Sequence, residues 1–333
     1  MFWDTSAPAL EIESLSPRSL VQTYTIYSIS NSPYQEWQAD LLDYTFEAVA
    51  QPGKLIRLCS EDSRFPGRRG ARSSVGETLF TPSYSRLEWP YVRVLRWWVG
   101  TRWSLRHVEW AVMNKPGSLR FLFENRGFHD DDRLIFLDPD MVFTRPWAPA
   151  VAGGTVHGQK WIGYGRRFCE ATSIHPELCP ASADGCVMYP YAIRAGDLRP
   201  MVADIEHFSL EGYRKAKLAG AQGVWMADMS AFQTAMTKHG LTMKAVDNVG
   251  LCSNWPNRDD PDAPILHYCQ PMRDRAGALL WGKGHYLPWT RPPDPSRATN
   301  RVDREVLEIL TRKVTEKGAA PMARTSEPVP ESM

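Results

Sequence analysis

The chain has 333 residues, enough for one large domain or two small ones, and 43% of them are hydrophobic, so a substantial core can form. Its formal net charge of +1 lacks the basic excess of a general nucleic-acid-binding protein. No stretch approaches the roughly 20 apolar residues that a membrane-spanning helix needs. We therefore expect neither nucleic-acid binding nor a membrane span.

The N-terminal segment, residues 1–19, is predicted to be a loose leader, because it contains acidic and polar residues and no apolar signal-peptide core. A cytoplasmic location follows, with the Golgi or the secretory lumen as the alternative if the natural N-terminus is truncated. The six cysteines form no Cys-x-x-Cys pair, which argues against zinc. We expect free thiols in a reducing compartment, or a disulfide among Cys169, Cys179 and Cys186 if the protein is secreted.

A strand–helix–strand pattern follows the leader. Residues 21–29 are rich in β-branched and aromatic residues, which is typical of a strand. Residues 35–50 carry apolar side chains at helical spacing, and Pro52 and Gly53 end that helix. Residues 55–59 predict a second strand. This order indicates a βαβ unit, and hence a mostly parallel sheet flanked by helices in a single α/β domain.

The remaining segments are assigned from composition and spacing. Residues 60–85 are polar and predict a long loop, whereas residues 86–110 interleave Arg with Trp and predict either a packed amphipathic helix or part of an acceptor groove. Further strands are predicted at 134–137, 160–164 and 265–268, and further helices at 201–219, 222–239 and 302–314. The main domain is expected to span 20–290, followed by a C-terminal extension, 291–333, that is disordered from 318 onwards.

Two carboxylates follow a buried strand. Asp138 and Asp140 come directly after the apolar residues 134–137 and before the apolar residues 141–143. Carboxylates one residue apart at a strand end can hold Mn²⁺ or Mg²⁺, which would in turn bind the oxygens of a diphosphate. Ligands of open α/β sheets bind at the carboxyl ends of the strands. The alternative is a solvated turn.

Two further residues are predicted on the same side of the sheet. His267 follows the apolar residues 265–266, and its neutral ring can supply another metal ligand. The alternative is a histidine of the core or its rim. Lys283 lies in the segment 277–286, whose three glycines predict a loop that closes over the donor and brings Lys283 to the diphosphate. The alternative is an ordinary surface loop.

Four more residues are candidates for donor binding or catalysis. Gly185, beside Asp184, would let the backbone approach a donor sugar closely, although an ordinary turn is the alternative. Asp228 lies among apolar residues of a predicted helix, where an acid is costly to bury without a task or a partner. A partnered structural acid is the alternative. Ser30 follows the first predicted strand, and we assign it to the donor pocket.

Several short motifs occur in the order in which they occur in a known family. They lie at residues 32–34 and 37–38, 113–116, 137–141, 175–179, 228–229, and 266–268, within the stretch of about 22–290. On these motifs the chain resembles the peptidyl serine α-galactosyltransferases and, more distantly, the hydroxyproline O-arabinosyltransferases. The resemblance implies a GT-A fold, a divalent metal and transfer with retention of anomeric configuration. The implied donor is a UDP-sugar, UDP-galactose or UDP-arabinofuranose.

The resemblance also implies roles for single residues. It assigns metal ligation to Asp138, Asp140 and His267, and the donor pocket to Asn114 and Lys115. It places Asp228 near the reacting sugar, where the family usually has the longer Glu. The predicted function is therefore a metal-dependent glycosyltransferase acting on a hydroxyl of a polypeptide or glycan. A metal-dependent nucleotidyltransferase or phosphohydrolase, and a non-enzymatic sugar-binding module that uses some of the 13 tryptophans, remain the alternatives.

Overall fold

The structure is a computed structural model, and it describes residues 21–62, 65, 67–87, 108–109, 111–160, 165–179, 187–221 and 224–318. The predicted leader, most of the Arg- and Trp-rich segment, and the predicted disordered tail from 319 onwards lie outside these residues. Within the described part of the chain, no helix is both long enough and apolar enough to cross a membrane.

The described residues form seven α-helices and fourteen strands. The helices are α1 (Pro33–Ala48), α2 (Asn114–Asn125), α3 (Gly165–Thr172), α4 (Ala195–Leu198), α5 (Val202–Leu218), α6 (Ala227–Lys238) and α7 (Arg301–Glu316). The strands are β1 (Thr23–Ser30), β2 (Lys54–Ser60), β3 (Glu77–Thr81), β4 (Arg86–Leu87), β5 (Val108–Glu109), β6 (Arg133–Leu137), β7 (Met141–Phe143), β8 (Thr155–Lys160), β9 (Val187–Arg194), β10 (Thr242–Val246), β11 (Gly250–Cys252), β12 (Ile265–His267), β13 (Met272–Arg273) and β14 (Leu279–Trp281).

A seven-stranded sheet forms the centre of the fold, in the order β10–β8–β9–β6–β1–β2–β3. β9 runs antiparallel to both of its neighbours, and every other neighbouring pair is parallel. The central strands β1, β2 and β6 are almost wholly buried, as expected for strands with helices packed on the sheet. The predicted single α/β domain, with a mostly parallel sheet flanked by helices, is confirmed.

Two short sequence assignments are wrong. The predicted loop at 60–85 contains β3, which pairs in parallel with β2 at the edge of the sheet. Because most of β3 is partly exposed, its sequence has no apolar run to reveal it. The strand predicted to begin at Lys160 instead ends there: β8 spans Thr155–Lys160, and residues 161–164 lie outside the described part. Its polar and glycine residues concealed a strand held between β9 and β10.

The C-terminal helix and one disulfide complete the fold. In α7, Val302, Val306, Ile309 and Leu310 are buried in the same hydrophobic core as the central sheet. Cys169 is bonded to Cys179, with their Cα atoms 5.8 Å apart, so the expectation of free thiols is wrong for this pair. The separation is within the range that a disulfide spans without backbone movement. The cytoplasmic location stays a prediction.

A buried arginine ties the first βαβ unit together. The side chain of Arg57, in β2, is fully buried, and its guanidinium donates to Asp43 of α1 at 2.7 Å and to the Tyr27 hydroxyl of β1 at 2.7 Å. The Tyr27 hydroxyl in turn donates to the other oxygen of Asp43 at 2.5 Å, and Ser73 donates to Asp43 at 2.6 Å. Asp43 therefore accepts three hydrogen bonds in the interior and compensates the buried charge of Arg57.

Replacing Asp43 by Ala should leave the Arg57 charge buried with only the partly exposed Asp40 as a counter-charge. We expect the free energy of unfolding to fall by about 3–5 kcal/mol, as for other broken buried ion pairs. Urea denaturation followed by circular dichroism measures this change. The exposed pair of Arg145 and Asp262 is the control, since Asp262→Ala should cost about 1 kcal/mol or less. Equal losses for both variants would contradict the role of Asp43.

Candidate functional site

The connection between β6 and β7 places two acids beside a histidine. β6 ends at Leu137, β7 begins at Met141, and Met141 pairs antiparallel with His267 at the end of β12. The backbone N–H of Tyr268 donates to the Asp140 carbonyl at 3.1 Å and fixes this register. As a result, Nε2 of His267 lies 3.2 Å from Oδ1 of Asp140. Residues 127 positions apart thus meet because two short strands pair.

Asp138, Asp140 and His267 have the composition and spacing of a divalent-metal site. One ligand atom from each lies within 4.8 Å of the others, and all three residues are buried. Carboxylate oxygens with one imidazole suit Mn²⁺ or Mg²⁺. The three residues fit the metal that the sequence predicts, and their role as its ligands stays a prediction.

Lys115 joins two acids of different elements. Its Nζ lies 2.6 Å from Oδ1 of Asp138 and 3.0 Å from Oδ2 of Asp228, and 4.1 Å from the centroid of the Tyr189 ring. Burial alone would lower the pKa of Lys115, but the charges of Asp138 and Asp228 raise it. Burial raises the pKa of Asp228, against the opposing charge of Lys115. The ammonium group of Lys115, in the first turn of α2, therefore connects Asp228 in the first turn of α6 with Asp138 at the end of β6.

Lys283 neutralises Asp140, as Lys115 neutralises Asp138. Its ammonium group forms an ion pair with Oδ2 of Asp140. Burial opposes ionisation of Asp140, yet the charges of Lys283 and His267 hold its pKa well below the usual range. The segment around Lys283 is more ordered than the predicted loop: it contains β14, and Trp281 is buried against Trp37. Closure of this segment over a ligand stays a prediction.

One pocket contains every predicted site residue that the structure describes. Its volume is about 400 Å³, within the range of small-molecule sites. The shared lining consists of Ser30, Asn114, Lys115, Asp138, Asp140, Asp228, His267 and Lys283. Asn114 is buried, and its side-chain oxygen accepts the backbone N–H of Tyr84 at 2.8 Å. Asp184 and Gly185 lie outside the described residues.

The pocket also contains residues that the sequence analysis missed. Cys252 ends β11, Cys269 lies two residues beyond His267, and their sulfur atoms are 3.4 Å apart. Chiefly a hydrogen bond from Cys252 lowers the pKa of Cys269 to about 5, against the effect of burial. Trp255 lies on the same wall. The spacing of 17 residues between the cysteines gives no motif, so only the pairing of β11 with β12 brings them together.

The motif at 175–179 lies outside the pocket. His175 and Glu177 form an exposed pair at 3.0 Å, and Cys179 belongs to the disulfide. These residues pack beside α3 and α6 and make no contribution to the lining described above.

Comparison with known proteins identifies similar structures only. No protein-family model and no curated protein matches the chain. The apo structure of the bifunctional glycosyltransferase WbbM is similar over 91% of this chain and 53% of that one, with 12% identity and a TM-score of 0.44. The galactosyltransferase LgtC, in complex with donor and acceptor sugar analogues, is similar over 78% of this chain and 92% of that one, with 14% identity and a TM-score of 0.45. The chain thus spans about half the length of the WbbM chain.

Replacing Lys115 by Met should leave Asp138 and Asp228 facing each other without their shared cation. We expect the free energy of unfolding to fall by about 3–5 kcal/mol, and Mn²⁺ to restore more of it than Mn²⁺ adds to the wild type. Thermal melts with and without Mn²⁺ measure both effects. Lys238→Met, which removes an exposed partner of Asp204, should show neither. An identical metal response in the Lys115 variant and the wild type would contradict this charge balance.

Proposed function

We propose that the chain is a metal-dependent glycosyltransferase that moves a sugar from a nucleotide diphosphate donor of the UDP type to an acceptor hydroxyl. The observation that carries the proposal is the convergence in one pocket of Asp138, Asp140 and His267 with two lysine ammonium groups. The first three suit a divalent metal, and the lysines suit the anionic leaving group.

The charges of the pocket fit a diphosphate. A divalent metal bound by Asp138, Asp140 and His267 would neutralise the diphosphate charge as the bond to the sugar breaks. Lys115 pairs with Asp138, and Lys283 pairs with Asp140. Both ammonium groups line the pocket, so each can shift from its carboxylate to a phosphate oxygen once a second cation offsets the acid. The lysines then stabilise the leaving diphosphate as point charges.

We assign Asp228 to the reacting sugar. It lies in the first turn of α6, it is 1% exposed, and it lines the pocket beside Lys115. The ion pair with Lys115 holds its carboxylate at the same end of the pocket as Asp138. A carboxylate there can stabilise positive charge that develops on the sugar ring. Because Asp is shorter than the Glu that the resemblance leads one to expect, the sugar has to lie closer to α6.

The donor and the stereochemistry follow from the same proposal. UDP-galactose and UDP-arabinofuranose are the donors to test first, and the acceptor is a hydroxyl of a polypeptide or a glycan. Asp228 is the one acid assigned to the sugar, and its bond to Lys115 reduces its nucleophilicity. We therefore favour retention by attack on the same face that the diphosphate leaves, with a phosphate oxygen accepting the hydroxyl proton. Rate enhancement would then come from positioning and charge stabilisation.

Binding of UDP should depend on the metal through Asp140. Titration calorimetry of the wild type should show UDP affinity at least about tenfold higher with Mn²⁺ than without it, or about 1.4 kcal/mol. In Asp140→Ala the difference should disappear. The matched control is Asp130→Ala, because Asp130 is an exposed acid that precedes the opposite end of β6. Equal UDP affinity with and without Mn²⁺ in the wild type would sink the proposal.

Replacing Asp228 by Asn should lower turnover on the order of 10²-fold while leaving UDP affinity nearly unchanged, because the lost charge acts on the transition state. Asn preserves the shape, and Lys115 retains Asp138 as its partner. Proton NMR of the reaction reports both the rate and the anomeric configuration of the product. Asp303→Asn is the matched control: Asp303 is also a buried acid in the first turn of a helix, and its pKa is also raised by burial. Unchanged turnover in Asp228→Asn would return this acid to a structural role.

A further inference from the structure

A second group of metal-binding side chains adjoins the carboxylates. Cys252, His267 and Cys269 each offer one ligand atom within 4.8 Å of the others. β11 pairs in parallel with β12 and places Cys252 directly opposite His267, while Cys269 follows two residues later. Both cysteines line the pocket, so an ion in solution can reach them. His267 is thus common to two sets of ligands with different chemistry.

The distance between the two sulfur atoms suits a shared ion. It is 3.4 Å, whereas a disulfide needs about 2.05 Å. Two thiolates on one tetrahedral zinc ion, each about 2.3 Å from the metal, lie roughly 3.8 Å apart. The cysteines of this pocket therefore need to separate by only a few tenths of an ångström to bind such an ion, and thiolate ligands select soft or borderline metals over Mn²⁺ and Mg²⁺.

The histidine ring provides the link between the two groups. Its Nε2 faces Asp140 at 3.2 Å, its buried Nδ1 makes no hydrogen bond of ordinary geometry among the described residues, and the ring also interacts with the Cys269 side chain. An unpartnered buried nitrogen is costly, and a metal ion would satisfy it. A neutral imidazole has one lone pair, on whichever nitrogen lacks the proton. If Nδ1 binds a metal, Nε2 carries the proton, donates to Asp140 and is no longer a ligand.

We propose that Cys252, Cys269 and Nδ1 of His267 form a binding site for a zinc-type ion. Because both sets of ligands use the His267 ring, this ion excludes a metal from Asp138 and Asp140. Both sulfur atoms bind as thiolates and Nδ1 binds without a proton, so binding releases whatever protons these three atoms carry, with no oxidation or reduction. The fourth position is left to water. The thiolate site stands on its own geometry, whereas its inhibitory consequence rests on the proposed function. A bound zinc ion would then prevent metal-dependent binding of the donor.

The first experiment tests the thiolate site directly. Co²⁺ is added to the full chain, kept reduced with a phosphine, and its absorption is recorded. A thiolate-to-metal charge-transfer band and strong visible bands of tetrahedral Co²⁺ are expected in the wild type and should be lost in Cys252→Ser and Cys269→Ser. Cys59→Ser, which removes a buried free cysteine outside this pocket, should keep them. Absence of the charge-transfer band in the wild type, including absence caused by a Cys252–Cys269 disulfide, overturns the proposal.

The second experiment tests the shared ring. Free Mn²⁺, measured by its paramagnetic resonance signal, should be released from the wild type by Zn²⁺, and the Cys252→Ser, Cys269→Ser double variant should need at least about tenfold more Zn²⁺ for the same release. Equal Zn²⁺ requirements would show that the thiols do not compete for His267 and would overturn the exclusion. If the wild type binds no Mn²⁺ at all, the proposed function fails, while the Co²⁺ spectrum still decides the thiolate site.

Discussion

The pocket depends on neutralising three acids that the fold buries close together. Asp138, Asp140 and Asp228 are 8%, 6% and 1% exposed. Isolated carboxylates in such surroundings would be strongly disfavoured. Lys115 and Lys283 supply the opposing charges, one on each side of the pair that follows β6. The two lysines therefore allow the fold to keep three carboxylates close together in its interior.

This charge balance is assembled from distant parts of the chain by the two sheets. The central sheet brings the carboxyl end of β6 next to that of β1, so the acids adjoin Ser30 in the pocket. In the small sheet, whose order is β11–β12–β7, His267 of β12 pairs with Met141 of β7, directly after Asp140. Cys252 of β11 pairs with His267, and Cys269 follows β12. Because β7 starts one residue after Asp140, the geometry of the pocket is set by strand pairing and not by a flexible loop.

The parts of this arrangement that have a local signature could be predicted from the sequence. An apolar strand followed by two spaced acids identified Asp138 and Asp140, and helical spacing located α1 and α6. The sequence could not predict elements that depend only on tertiary contacts. The polar strands β3 and β8 are examples, because pairing with their neighbours in the sheet fixes them. The pairing of Cys252 with Cys269 likewise needs the register of β11 against β12, which no spacing of residues encodes. Lys115 was placed in the pocket through resemblance, but its bridging contact needed the structure.

The position of α7 along the chain has a consequence for biosynthesis. This helix packs on α1 and on β12, and its apolar face, with Val302, Val306 and Leu310, completes the core. It follows every strand of both sheets in sequence. A nascent chain can therefore pair all its strands while the apolar surface under α7 is still exposed to water. Exposed apolar surface of this kind favours association with other chains, so docking of α7 is the step that removes it.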